Sequence, residues 1–179
     1  MNLPNRLTVL RVCMVPVFVV FMLWNGLGSS AKYVAAVIFI LASMTDWLDG
    51  YLARKNNLVT DFGKFMDPIA DKLLVCSAMI CLVEKGALPA WIVIIIIGRE
   101  FIISGFRLVA SDKGVVIAAS YWGKFKTVSQ MLMVILLILD LGGVFNTIAQ
   151  VLVWAALVLT VVSLADYMVK NRSVLSGDM

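Results

Sequence analysis

The chain has 179 residues, 62% of them hydrophobic, with 15 Lys and Arg against 11 Asp and Glu and no histidine. A soluble domain is roughly 45–50% apolar, so this excess, with a mean hydropathy of +1.00, argues against a water-soluble globule and for a surface that faces lipid. The net charge of +4 sits mostly at the ends of apolar runs, which makes membrane topology a better reason for it than nucleic acid, and the missing histidine leaves general-base and metal-binding work to carboxylates.

A span needs about 20 apolar residues, and six fit. The first runs from Leu7 to Trp24 and ends at the breaker-rich "NGLGSS". Arg6 and Arg11 before an apolar run imitate a signal peptide, but further spans follow, so the segment is expected to be a retained helix. The second span runs from Lys32 to Arg54. The third begins between Asp61 and Pro68 and ends near Lys85-Gly86. The fourth covers Pro89 to Ser111 and the fifth Ser120 to Leu141, closed by Gly142-Gly143. The sixth covers Thr147 to Lys170. Only helices and closed barrels satisfy the backbone in lipid. The apolar runs are continuous rather than alternating, so helices are expected. No linker or repeat divides the chain, and residues 1–179 read as one domain.

Six spans put both termini on one side. All 15 Lys and Arg except Lys32 and Lys85 fall towards that side, which the positive-inside rule makes cytoplasmic. The expected fold is therefore an all-α integral membrane protein of six transmembrane helices, with a polar cleft at the cytoplasmic side. Cys13, Cys76 and Cys81 lie in apolar runs and read as buried, reduced thiols. Trp24, Tyr33, Trp91 and Trp122 lie near span ends, where aromatic rings anchor at the interface. "WIVIIII" is expected to meet lipid or neighbouring helices. Ala155 and Ala156 permit close packing in the sixth helix. Asp166, Tyr167 and Lys170 at its end read as paired or solvated.

The stretch from Thr45 to Lys72 is exceptional. It holds Asp46, Asp49, Asp61, Asp67 and Asp71. Asp46, Asp49, Gly50 and Ala53 fall at i, i+3, i+4 and i+7, one helix face. Gly63, Asp67 and Asp71 fall at i, i+4 and i+8, again one face if that segment is helical. A structural alternative exists for part of the set. Thr60 and Asp61 could cap the third helix, and Asp67-Pro68 could be an N-cap followed by proline at the first helical position, leaving Gly63 in a loop. Four converging carboxylates cannot all stay ionised unaided. A site of oxygen ligands alone suits magnesium, manganese or calcium. Gly50 and Gly63 leave room for a bulky ligand, and Arg54 adds a fixed cation. Together they suit a ligand that carries phosphate.

The pattern Asp46-x2-Asp49-Gly50-x2-Ala53-Arg54-x8-Gly63-x3-Asp67-x3-Asp71 resembles the signature of the CDP-alcohol phosphotransferases at every fixed position. The resemblance implies an integral membrane enzyme of six transmembrane helices, usually a homodimer. Such an enzyme moves a phosphoalcohol group from a CDP-alcohol to an acceptor hydroxyl and releases CMP. "NLPNRLTVLR", "GREFIISGFR" and "YWGKFKT" are similar to the corresponding parts of the bacterial branch whose substrates are CDP-diacylglycerol and glycerol 3-phosphate. With the signature, the likeness covers most of the chain. It implies Mg2+ or Mn2+, two ions per site, on Asp46, Asp49, Asp67 and Asp71, with Asp71 as general base. In the mechanism expected from these residues, Gly50, Arg54, Thr60 and Gly63 contact the CDP part of CDP-diacylglycerol and Asn5 and Thr8 reach the same nucleotide, while the positive-inside rule puts the active site on the cytoplasmic face of the bacterial plasma membrane.

Charge in the second half supports an anionic acceptor. Arg99 and Arg107 lie eight apart on one helix face, and Lys124 and Lys126 open the fifth helix. Cations inside spans are expensive without a partner. An acceptor phosphate would account for all four, although Glu100 could neutralise Arg99 and the lysines could snorkel. Serine or choline would leave them unexplained. Inositol phosphate would use them equally well and remains an alternative acceptor. A divalent-cation transporter is the alternative outside the enzyme class, but its aqueous route would need charge near both faces.

Overall fold

A computed structural model describes the backbone of residues 3–24, 26, 28, 30–55, 61–112 and 120–172. It describes the side chains of the same residues except 3–6, 46–55, 61–65, 67, 68, 111 and 112. Among the described residues six helices follow one another: α1 Leu3–Leu23, α2 Ser30–Lys55, α3 Asp61–Glu84, α4 Ala90–Asp112, α5 Tyr121–Leu139 and α6 Gly143–Lys170. No strand occurs among the described residues. Each expected span is one of these helices. The ends differ by a few residues where breakers act inside the run rather than beside it: α5 stops at Leu139 because Asp140 turns to a φ of 40°, and α6 starts at Gly143 itself.

The break after α3 shows how sequence sets an end. Gly86 takes a φ of 70°. Its N–H donates to the Val83 carbonyl at 2.9 Å, and the Ala87 N–H donates to the Leu82 carbonyl at 2.9 Å. This is a Schellman closure, which asks for glycine at the left-handed position. Pro89 follows, and its carbonyl accepts the Ile92 N–H at 3.1 Å, so α4 starts where the earlier helix cannot continue.

By length and composition, α5 and α6 are apolar enough to cross a membrane, and Leu7–Leu23 and Ser30–Thr45 are shorter apolar helices. Large apolar side chains are exposed along every helix, and so are Trp24, Tyr33, Trp91 and Trp122. "WIVIIII" divides between the two expected settings: Ile92, Val93 and Ile96 are buried, while Ile94 and Ile95 are exposed. The cysteines are all free. Cys81 is buried, but Cys13 is exposed, because its register puts it opposite the buried stripe of Thr8, Arg11, Val15, Phe18 and Met22.

The chain groups into two compact units. One comprises Met1–Leu88 with Val134–Leu141, and the other Pro89–Met133 with Gly142–Met179. In the first, α1 packs on both α2 and α3, and α2 touches α3. Phe18 and Phe39 meet at 5.9 Å between ring centres. Ala31, Ala35 and Ala42 are buried along α2, and small residues let helices approach closely where lipid supplies no hydrophobic drive. Pro16 lies inside α1 and removes the hydrogen bond that would run to the Val12 carbonyl. In the second unit, α4 packs on α6. Trp91 meets Trp154, Arg99 meets Ser163 and Phe106 meets Tyr167. The order is the same on both helices, so they run parallel.

Candidate active site

All eight signature positions are helical. Asp46, Asp49, Gly50, Ala53 and Arg54 belong to α2; Gly63, Asp67 and Asp71 belong to α3. Because α3 already begins at Asp61, Gly63 lies in the helix rather than in a loop, and Asp67 is an interior position rather than a cap. The i, i+4, i+8 register of Gly63, Asp67 and Asp71 is therefore realised on one face. That face continues into Ala70, Leu74 and Ala78, all fully buried. On α2 the stripe of Ala35, Phe39 and Ala42, also fully buried, continues at the same spacing to Asp46 and Asp49. The acidic positions thus extend the two packing faces towards adjacent ends of α2 and α3.

The side chains of Asn5, Asp46, Asp49, Arg54, Asp67 and the glycine positions Gly50 and Gly63 lie outside the described ones, and so does the whole of Thr60. Thr8 is buried and Asp71 is half-buried. The donor set itself is testable for chemistry. It offers carboxylates without histidine or thiolate, since the three cysteines lie elsewhere, and so fits a hard cation such as Mg2+ or Mn2+ rather than zinc or copper.

Arg11 is a feature of this half that its sequence position hides. Its side chain is fully buried. Nε donates to the Ala42 carbonyl of α2 at 3.3 Å, and Thr45 Oγ1 donates to the same carbonyl at 2.6 Å. A guanidinium in an apolar bundle is held by such bonds or not at all. Ala42 lies one turn before Asp46, so a permanent cation sits one turn from the first acidic position.

The basic residues divide in the second unit. Arg99, 9% exposed, and Lys126, 1% exposed, converge on one carboxylate. Arg99 Nη1 lies 3.1 Å from Glu100 Oε1, and Lys126 Nζ pairs with the same oxygen. Arg99 Nε also donates to Ser163 Oγ of α6 at 3.1 Å, and Ser163 Oγ donates onward to the Thr160 carbonyl at 3.0 Å. Two cations thus share one carboxylate oxygen in a buried setting. Arg107 and Lys124 are exposed and make aromatic contacts. Arg107 lies over the Tyr167 ring at 6.0 Å and Lys124 over the Tyr121 ring at 5.3 Å. Neither makes an ion pair among the described residues.

Local sequence explains the start of α5. Ser120 Oγ accepts the Gly123 N–H at 3.2 Å, an N-cap bond to the third helical residue. It brings Lys124 and Lys126 onto the first turns of α5. At the far end of α6, Asp166 pairs with Lys170 at 2.7 Å, as expected, whereas Tyr167 is buried rather than solvated. Ser163 escaped the sequence reading. Its signal was weak: hydroxyls at Thr160 and Ser163, three residues apart in an otherwise apolar helix.

A chain whose described elements are all helices, two of them long and apolar enough to cross a membrane, with an acidic signature shared by two successive helices, has the character of a membrane transferase. A family model of CDP-alcohol phosphatidyltransferase matches residues 1–162, and the chain belongs to that family. It is 47% identical to the CDP-diacylglycerol–glycerol-3-phosphate 3-phosphatidyltransferase of Bacillus subtilis (strain 168), covering 95% of each chain. It is 44% identical to a probable phosphatidylglycerophosphate synthase of Mycobacterium tuberculosis (strain CDC 1551 / Oshkosh), covering 98% of this chain and 84% of that one. A Haemophilus influenzae protein named as the same 3-phosphatidyltransferase is 40% identical, over 93% of this chain and 91% of its own.

Proposed function

We propose that this protein transfers the phosphatidyl group of CDP-diacylglycerol to sn-glycerol 3-phosphate, giving phosphatidylglycerophosphate and CMP in phospholipid biosynthesis. The near full-length likeness to relatives named for that reaction carries this reading. The polar positions support it: acidic residues lie on α2 and α3, and basic residues on α4 and α5.

The roles follow from residue chemistry. Asp71 takes the proton of the acceptor's primary hydroxyl. That oxygen forms a bond to the phosphorus bearing diacylglycerol, the bond from this phosphorus to the CMP oxygen breaks, and CMP leaves with the electron pair. Bound at Asp46, Asp49, Asp67 and Asp71, two Mg2+ or Mn2+ ions would neutralise the diphosphate and polarise its phosphoryl oxygens. Asn5, Thr8, Gly50, Arg54, Thr60 and Gly63 bind the CDP-diacylglycerol. Arg99, Arg107, Lys124 and Lys126 bind the acceptor phosphate. The six helices cross the bacterial plasma membrane with both termini and a polar cleft at the cytoplasmic face, and the enzyme works as a homodimer.

Cations alone do not distinguish glycerol 3-phosphate from inositol phosphate, so the acceptor is tested directly. Purified protein in detergent, with CDP-diacylglycerol and magnesium, should release CMP when given glycerol 3-phosphate and not when given inositol phosphate or serine. Release with inositol phosphate instead would keep the family and replace the acceptor.

A further inference from the structure

Tyr167 has an unusual environment for a tyrosine. It is 3% exposed, on the face of α6 that carries Thr160 and Ser163. Its ring meets the Phe106 ring edge-on at 5.9 Å and lies under the Arg107 guanidinium. Yet its hydroxyl, also buried, has no hydrogen-bond partner among the described residues. One residue earlier, Asp166 Oδ2 is buried without a partner too. Thr160 and Ser163, on the same face, are satisfied by carbonyls of their own helix. A buried hydroxyl without a partner is costly in any protein and more so among apolar helices. The fold leaves this one unsatisfied at a defined place. Ser163, which holds Arg99, is one turn before Tyr167, and Arg107 covers the Tyr167 ring.

We infer that Tyr167 is a specificity-determining residue whose hydroxyl hydrogen-bonds the non-reacting secondary hydroxyl of the acceptor. The inference rests on the acceptor reading given above. Arginine and lysine recognise the phosphate that competing acceptors share; a neutral phenol, which donates and accepts, recognises what differs between them, the pattern of hydroxyls. Sites built to hydrogen-bond a substrate hydroxyl reject analogues that lack it, because a buried group is then left unpaired. The two arginines near Tyr167 bring a phosphoalcohol to it, and the phenol checks the alcohol.

The test compares glycerol 3-phosphate with 3-hydroxypropyl phosphate, which keeps the primary hydroxyl and the phosphate but lacks the secondary hydroxyl. Wild-type enzyme and Tyr167→Phe are assayed for CMP release with each, and their thermal stability in detergent is measured. The expected result is a wild-type preference in kcat/KM of about tenfold for glycerol 3-phosphate, the factor of one hydrogen bond. Tyr167→Phe should lose that preference by weakening glycerol 3-phosphate alone, with the KM for CDP-diacylglycerol unchanged and thermal stability kept or raised. Equal loss with both acceptors, or a raised KM for CDP-diacylglycerol, would overturn the inference. So would unchanged kinetics in a more stable variant, which would mean that only water fills the position. Wild-type enzyme that releases no CMP with glycerol 3-phosphate would overturn the acceptor reading itself and this inference with it. Wild-type release with an unaltered variant profile sinks the inference alone.

Discussion

Lys126 on α5 and Glu100 on α4 form an ion pair in which the lysine is almost wholly buried, and Arg99 shares the same carboxylate oxygen. Removing one partner of such a group is more damaging than its net contribution suggests, because the remaining charges stay buried without compensation. Glu100→Ala removes the carboxylate that Arg99 and Lys126 share and should destabilise the protein by about 3–5 kcal/mol. Glu100→Gln keeps an acceptor and should cost less, about 1–3 kcal/mol. Thermal unfolding in detergent ranks the two variants. Equal stability of wild type and Glu100→Ala would show that the cluster is solvated.

Arg11 invites a similar experiment in the other unit. Its Nε bond to the Ala42 carbonyl joins α1 to α2 just below the acidic positions. Arg11→Gln keeps a donor and loses the charge; Arg11→Met loses both. The expected order of stability is wild type, then Gln, then Met. The step from wild type to Met should be about 2–3 kcal/mol, the range for a charge-assisted bond in a buried setting. Unfolding midpoints measured by tryptophan fluorescence would read it. A Met variant as stable as wild type would mean that Arg11 is held by packing of its stem alone.

These two residues mark what the sequence could and could not convey. The six helices were legible because each apolar run is bounded by explicit breakers, such as Gly86 with Pro89 or Gly142 with Gly143. The register of Asp46 and Asp49 was legible because it depends only on helical periodicity. The start of α3 was ambiguous, since Thr60-Asp61 and Asp67-Pro68 both carry capping chemistry and only one can begin the helix. Arg11 was read as a topology charge at a span end. Its burial comes from α1 lying between α2 and α3, a tertiary fact with no local signal. Glu100 was visible beside Arg99, but its second cation lies 26 residues further on, and the hydroxyl that holds Arg99 lies 64 residues away. Partners at such separations are chosen by packing.

The proposed proton transfer by Asp71 separates it from the other aspartates. Asp71→Asn keeps size and hydrogen-bonding capacity but cannot take a proton. It should lower kcat by about 10²–10⁴, the range for general-base catalysis, with little change in unfolding temperature. A chelator should abolish CMP release by the wild-type enzyme, and Mg2+ or Mn2+ should restore it. An Asp71→Asn enzyme that retains more than a tenth of wild-type kcat would move the base elsewhere.

The other end of α2 offers a control that should leave catalysis alone. Lys32 Nζ donates to the Asp140 carbonyl at 2.9 Å and lies near the Tyr33 ring at 5.4 Å. Asp140 closes α5 in the left-handed region, with a φ of 40°, where a residue other than glycine is strained. Lysine thus satisfies a carbonyl at a helix end that carries partial negative charge. Lys32 lies 14 residues before Asp46, about 21 Å along the helix. Lys32→Met keeps the aliphatic stem and removes the donor. The expected effect is a loss of about 0.5–1 kcal/mol of stability, since the bond is exposed and its net value small, with kcat and both KM values unchanged. Thermal unfolding and the CMP assay on one preparation measure both quantities. A fall in kcat without a fall in stability would show that this end of α2 is coupled to the acidic positions, and would rule out a purely structural role for Lys32.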